Sequence, residues 1–231
     1  MDNPYTISNL QVNCKVNTSI YDNSYVLNMY EYAKTNIPNY RNIASIPSGH
    51  LPTDINTSLA KNWYRAFDNC RNLTSLPDPF YDTSNTTNMS QMFSDCFNLI
   101  TVPNFDTSNV TNMCWMFSGC WNLTTVPNFD TSNIIYMYRM FQSCNNLTTI
   151  PNFDTSKVID ISGMFWDCIN IKGNLYIESN NVTDAEYMFI GCSKYTKNIY
   201  CHAGTTTYNT IYRAMGNKTY NSSWNAYLKT F

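Results

Sequence analysis

Six cysteines close a recurring Phe-x-x-Cys motif: Cys70, Cys96, Cys120, Cys144, Cys168 and Cys192. Thiols can ligate metals, exchange disulfides or attack substrates, and each use demands its own placement. Zinc needs ligands that converge on a tetrahedron, whereas one cysteine per repeat sets the sulfurs in a row. A disulfide between neighbouring repeats needs Cα atoms ~4.4–6.8 Å apart, and Cβ bonds running parallel along a stack oppose it. The column is therefore expected to hold buried, reduced thiols acting as small apolar side chains. Cys14, Cys114 and Cys201 stand outside it and are expected at the surface. The total of 9 is odd and lacks a Cys-x-x-Cys pair, which fits free thiols better than a disulfide framework.

Two polar columns share the period. Asp82, Asp106, Asp130, Asp154 and Glu178 stack carboxylates, which would repel unless compensated. They could share calcium, which takes 6–8 oxygens, or each could accept from the backbone N–H groups of its own Thr-Ser turn. No Gly-rich Asp-x-Asp loop is present, which favours the turn. Asn72, Asn98, Asn122, Asn146 and Asn170 form the second column. At the corner of a coil, buried amides there would satisfy backbone groups left without partners. Asn122-Leu-Thr124 and Asn146-Leu-Thr148 are also glycosylation sequons, but a chain with 34 Asn and 26 Thr produces such triplets by composition alone. The two histidines, His50 and His202, lie outside the regular repeats. No nucleophile elbow, phosphate loop or His-Glu-x-x-His occurs. No catalytic residues, metal ligands or cofactors are expected.

The spacing also dictates what must position these residues. Successive motif phenylalanines are separated by 26, 24, 24, 24 and 24 residues. Leu99, Leu123, Leu147 and Ile171 keep the same phase, as do Phe105, Phe129, Phe153 and Ile177, and Met116, Met140, Met164 and Met188. A repeat of 20–29 residues with fixed apolar columns reads as an α/β solenoid of leucine-rich-repeat type, in which stacking buries what no single coil can bury. Within one coil, Leu123 to Val126 reads as a short strand ended by Pro127, and Asp130 to Asn133 as a turn. Ile134 to Met137 reads as a second extended piece, and Tyr138 to Cys144 as one or two helical turns. Residues 1–40 are expected to form an N-terminal cap with a short helix near Tyr25–Lys34. Residues 41–192 are expected to form the solenoid, and residues 193–231 a degenerate repeat and cap. The last segment's Tyr212-Arg213-Ala214-Met215 echoes Tyr64-Arg65-Ala66-Phe67.

Composition narrows the function. The 231 residues carry 14 basic and 16 acidic side chains, and only 13% are charged. A net charge of −2 offers phosphates no attraction, so nucleic acid is not an expected partner. No apolar run approaches the ~18 residues of a membrane-spanning helix. The start, Met1-Asp2-Asn3-Pro4-Tyr5, lacks the basic and apolar regions of a signal peptide. The chain is therefore expected to stay where it is made, to leave by assembly or lysis, or to be without its leader.

Core columns must repeat because each residue packs on its own copies. Three columns do not: Trp115, Arg139, Gly163, Tyr187; Phe97, Trp121, Asn145, Ile169; and Ser118, Gln142, Trp166, Ile190. Large aromatics at such positions suit an interface. Phe97, Trp115, Trp121, Tyr138, Trp166 and Tyr187 are the candidate binding residues.

The unit Met-Phe-x-x-Cys-x-Asn-Leu-Thr-x-[Val/Ile]-Pro-x-Phe-Asp-Thr-Ser-x-Val, running from about Asn62 to Cys192, resembles the BspA-like leucine-rich repeats. It is most similar to their lipoprotein-associated Met-Phe…Phe-Asp-Thr-Ser type. The resemblance implies a right-handed stack of coils with short parallel strands, and a non-enzymatic role in adhesion or protein binding. Similar repeats are carried by viruses and phages. The expected function is a repeat scaffold in a phage or virus particle that contacts virion subunits or a host-surface receptor. The alternative is a bacterial surface adhesin without its export leader.

Overall fold

A computed structural model describes residues 57–76, 82–149, 152–192, 197–216 and 226–231. The expected N-terminal cap and its helix, together with Cys14 and His50, lie outside the described residues. From residue 57 to residue 192, parallel single bridges join positions about one repeat apart. Asn62 pairs with Asn88, Asn88 with Asn112, Asn112 with Tyr136, Tyr136 with Asp160, and Asp160 with Asp184.

The backbone after each bridge is neither strand nor helix, and the reason lies in where its amide hydrogens go. In the coil around Phe117, the N–H groups of Met113, Trp115, Phe117 and Gly119 donate to the carbonyls of Tyr136, Tyr138, Met140 and Gln142 in the next coil. The alternate N–H groups of Met116, Ser118 and Cys120 turn back to the carbonyls of Met113, Trp115 and Phe117, three residues earlier. The N–H of Cys114 goes to the Oδ1 of Asn112 at 2.9 Å. Every donor from Met113 to Cys120 is thus satisfied, half of them by the neighbouring coil. This corrects the helical turns expected over Tyr138 to Cys144. A helix would need all of those donors for itself, so the segment forms successive tight turns instead.

The alternation needs two left-handed residues per coil, four apart. One set is Arg65, Gln91, Trp115, Arg139, Gly163 and Tyr187, and the other is Asn69, Asp95, Gly119, Ser143, Asp167 and Gly191. The expected strand at Leu123 to Val126 is also absent. The segment keeps single inter-coil bonds, such as the Thr124 N–H on the Ile100 carbonyl at 3.2 Å and the Ile100 N–H on the Thr74 carbonyl at 3.0 Å, and Pro127 supplies no donor to extend them.

Inside the turns lies a single apolar core. Phe93, Phe117, Phe141 and Phe165 are fully buried, and neighbouring rings stack face to face at 5.7, 5.6 and 5.7 Å. A second row of rings, Phe105, Phe129 and Phe153, packs beside the first. Regular secondary structure appears only beyond Lys172 among the described residues, a single 3-10 turn at Thr57–Leu59 aside. There, β1 (Gly173–Ile177), β2 (Lys197–Cys201) and β3 (Ala226–Thr230) form a parallel sheet in the order β1-β2-β3. Gly173 pairs with Lys197, so the 24-residue step persists where the motif fades.

Between β2 and β3 runs α1 (Thr206–Gly216). The Oγ1 of Thr205 caps its first turn by accepting the Tyr208 N–H at 3.2 Å. Thr207, Ile211 and Ala214, on one face, are buried. The sequence echo over Tyr212 to Met215 therefore does not build another coil like that of Phe67. Helical spacing from a good cap overrides it.

A candidate binding surface

The cysteine column is buried throughout, and all eight described cysteines are free. From Cys96 onward, each column thiol reaches one coil back to the phenylalanine carbonyl of the preceding motif. Cys96 donates to Phe67 at 3.0 Å, Cys120 to Phe93 at 3.1 Å, Cys144 to Phe117 at 3.1 Å, Cys168 to Phe141 at 2.8 Å and Cys192 to Phe165 at 2.9 Å. Burial pushes the thiols of Cys96, Cys120 and Cys144 far above their ordinary range, which keeps the proton that the bond requires. The column is thus a structural seam with weak reactivity. Cys201, expected at the surface, is fully buried in β2, and burial raises it to about 11. Cys114 is half-buried and is also raised to about 11 by burial. Alkylation of the native chain is expected to spare the seam and Cys201, label Cys114 slowly among the described cysteines, and reach the others only on denaturation. Rapid native labelling of Cys144, read by peptide mass spectrometry, would contradict this placement.

The acidic column closes turns. Oδ1 of Asp82, Asp106, Asp130 and Asp154 accepts the N–H of Ser84, Ser108, Ser132 and Ser156 at 2.9, 3.1, 3.0 and 2.8 Å. Hydrogen bonds from Ser84 and Ser132 lower the carboxyls of Asp82 and Asp130. Among the described residues, no group of three or more His, Cys, Asp or Glu could hold a metal ion.

The asparagine column differs from expectation. Asn72, Asn98, Asn122, Asn146 and Asn170 are exposed. Asn122 donates to Asn98 and Asn146 donates to Asn122, each at 3.2 Å, while Asn170 reaches the Asn145 carbonyl at 2.8 Å. The backbone-satisfying role expected of them belongs to another column. Asn85, Asn109 and Asn133 donate to the carbonyls of Ser58, Ser84 and Ser108 at 2.8, 2.7 and 2.7 Å. Their shared place after Asp-Thr-Ser was the available signal, but Lys157 occupies the next position of that column and broke the pattern.

The variable aromatics gather in two clusters. In the first, the Arg71 guanidinium lies 4.9 Å from the centre of the Phe97 ring, and Phe97 stacks on Trp121 at 4.2 Å and 6°. Trp121 is 47% exposed, and Ile169, two repeats on in the same column, is 46% exposed. In the second, Arg139 sits among three rings, with its guanidinium carbon 4.8 Å from Trp115, 5.0 Å from Tyr138 and 4.6 Å from Trp166. Trp115 meets Tyr138 edge-on at 5.3 Å, and Trp166 stacks on Tyr187 at 5.7 Å. Gly163 makes room for the arginine: a Cβ there would lie 2.8 Å from Arg139 Cγ. All six candidate residues thus fall in these clusters, half-buried except for the more exposed Trp121. The two arginines were missed as members. Alternation of a cation with rings along one column, Trp115 then Arg139, was the legible sign.

No helix among the described residues is long and apolar enough to cross a membrane. No curated protein matches the chain, and no solved structure does. One family model matches three overlapping stretches, 61–149, 87–203 and 121–226. The first two begin 26 residues apart, as Phe67 and Phe93 do, so a repetitive chain fits the family pattern in more than one register. These matches cover well over half of the 231 residues, and the chain belongs to the family described as "Mycoplasma protein of unknown function, DUF285".

Proposed function

We propose that the chain is a non-enzymatic scaffold, a BspA-like leucine-rich-repeat solenoid that binds a protein or a cell surface through its variable aromatics. The observation that carries this reading is the segregation of side chains. Columns that repeat are occupied by packing, by the thiol seam, by turn closure or by the asparagine ladder, while the aromatics of the variable columns sit in two partly exposed clusters. Aromatic side chains of this kind supply most of the binding energy at interfaces.

The setting we favour is a phage or virus particle, with virion subunits or a host-surface receptor as partners. Free thiols in every described coil suit a chain folded in a reducing cytoplasm and delivered by assembly. A bacterial surface adhesin is the second reading; the family description names a Mycoplasma protein, which fits a bacterial source.

The test is Trp115→Ala combined with Trp121→Ala, after the melting transition is shown to be unchanged. Partner binding, cell binding or particle incorporation is expected to weaken by at least about tenfold, as for loss of interface hot spots. Full retention of all three would exclude this face as the interface.

A further inference from the structure

We propose that Arg139, with the rings of Trp115, Tyr138 and Trp166 around it, is a binding site for the carboxylate of an acidic sugar. The inference rests on reading the aromatic face as a binding surface, and it names the ligand chemistry of one part of that face.

The guanidinium is short of partners. It carries five N–H donors, yet its Nε is buried without a hydrogen bond. Its Nη1 makes one long contact, 3.4 Å to Gln142 Oε1. No carboxylate among the described residues lies within ion-pairing distance of it, in contrast to Arg65, whose Nη2 meets Asp68 at 2.8 Å. Rings on its flanks remove water and so strengthen its field. They also hold the planar group in one orientation. Nη2 makes no hydrogen bond to the described residues and is not among the buried orphan atoms, so that edge of the fork reaches the surface. That edge matches the two oxygens of a carboxylate, and the pairing is stronger than neutral hydrogen bonds.

The aromatic surroundings favour a sugar as the bearer of the carboxylate. Trp115, Trp166 and Tyr187 are half-buried, and the part of each ring left uncovered beside Arg139 is apolar surface against which a sugar ring can pack. One guanidinium pairs with one carboxylate, so a sugar presenting a single acid group at the site suffices.

The experiment titrates the full chain with sialyllactose and with a galacturonate trisaccharide, which distinguish the two common sources of sugar carboxylate. Neutral lactose and a tri-glutamate peptide serve as comparisons. Tryptophan fluorescence and saturation-transfer NMR report binding. One or both acidic sugars are expected to bind at least about tenfold more tightly than lactose, as a charge-assisted pair requires. Arg139→Gln is expected to reduce them to the lactose level, while Arg139→Lys keeps the charge, loses the fork and falls between. An unchanged melting transition separates these effects from misfolding. Equal binding of lactose, binding of the peptide alone, or indifference to Arg139→Gln would overturn the proposal. If no sugar binds while Trp115→Ala with Trp121→Ala still abolishes surface binding, the acidic-sugar site fails and the scaffold reading stands. If that double variant binds normally, the scaffold face itself is wrong.

Discussion

Replacing Phe141 with alanine is expected to destabilise the chain by about 3–5 kcal/mol, the range for a fully buried phenylalanine. Its ring is fully buried and touches three others, with centroids at 5.6 Å to Phe117, 5.7 Å to Phe165 and 6.0 Å to Phe153. The void would open in the middle of the stack. There, neighbours on both sides are held by inter-coil bonds from the Phe117 N–H to the Met140 carbonyl and from the Phe141 N–H to the Met164 carbonyl, each at 2.9 Å. Those bonds resist the collapse that would fill it. Chemical denaturation should show a large fall in midpoint. A loss below about 1 kcal/mol would mean that the ring column is not the main support.

Gly119→Ala is the second large effect, with an expected cost of about 2–5 kcal/mol. Two terms combine. The residue has φ of +75°, where a side chain costs about 1–2 kcal/mol. Its new Cβ would also stand 2.4 Å from Asp95 Oδ1 and 3.3 Å from Asp95 Cα in the preceding coil, an overpacking penalty of about 1–3 kcal/mol. Asp95 is already compromised: burial raises its carboxyl pKa, and the nearby charge of Asp68 adds to the rise. Asp95→Gly removes the clashing group and relieves a second left-handed residue, at φ of 58°. In that background Gly119→Ala should cost only the backbone term, about 1–2 kcal/mol. An equal cost in both backgrounds, measured as a double-mutant cycle, would show that the contact with Asp95 plays no part.

Much of the interior was legible because burial repeats. Leu99, Leu123 and Leu147 recur at 24 residues and are fully buried, as are Met116, Met140 and Met164 to within 1%. The path of the backbone was not legible, for a definite reason. Left-handed positions are read from glycine, yet Arg65, Gln91, Trp115, Arg139 and Tyr187 hold positive φ, and three of the six coils have no glycine at either left-handed position. Without it, Tyr138 to Cys144 has the apolar spacing of a helix, and only the inter-coil demand on its amides decides otherwise. The asparagines failed differently. Asn122 and Asn133 are both conspicuous in sequence, but only the fold reveals that the first joins a surface ladder and the second bonds a backbone carbonyl. For the candidate surface, non-repetition was enough to pick out the aromatics. Their grouping around Arg139 depends on the missing side chain of Gly163, a contact between residues 24 apart that local patterns do not encode.

The division of amide hydrogens within each turn region has an evolutionary consequence. Each unit receives bonds from the one before and passes the same set to the one after, so its two faces are complementary copies. Duplicating or deleting one 24-residue unit, a 72-nucleotide event in a gene, would join faces that already match and leave the interior chemistry intact. Length is therefore nearly free to vary. The pairing of an arginine on one unit with rings on its neighbours is not, because any such event within that span would change which rings the arginine meets.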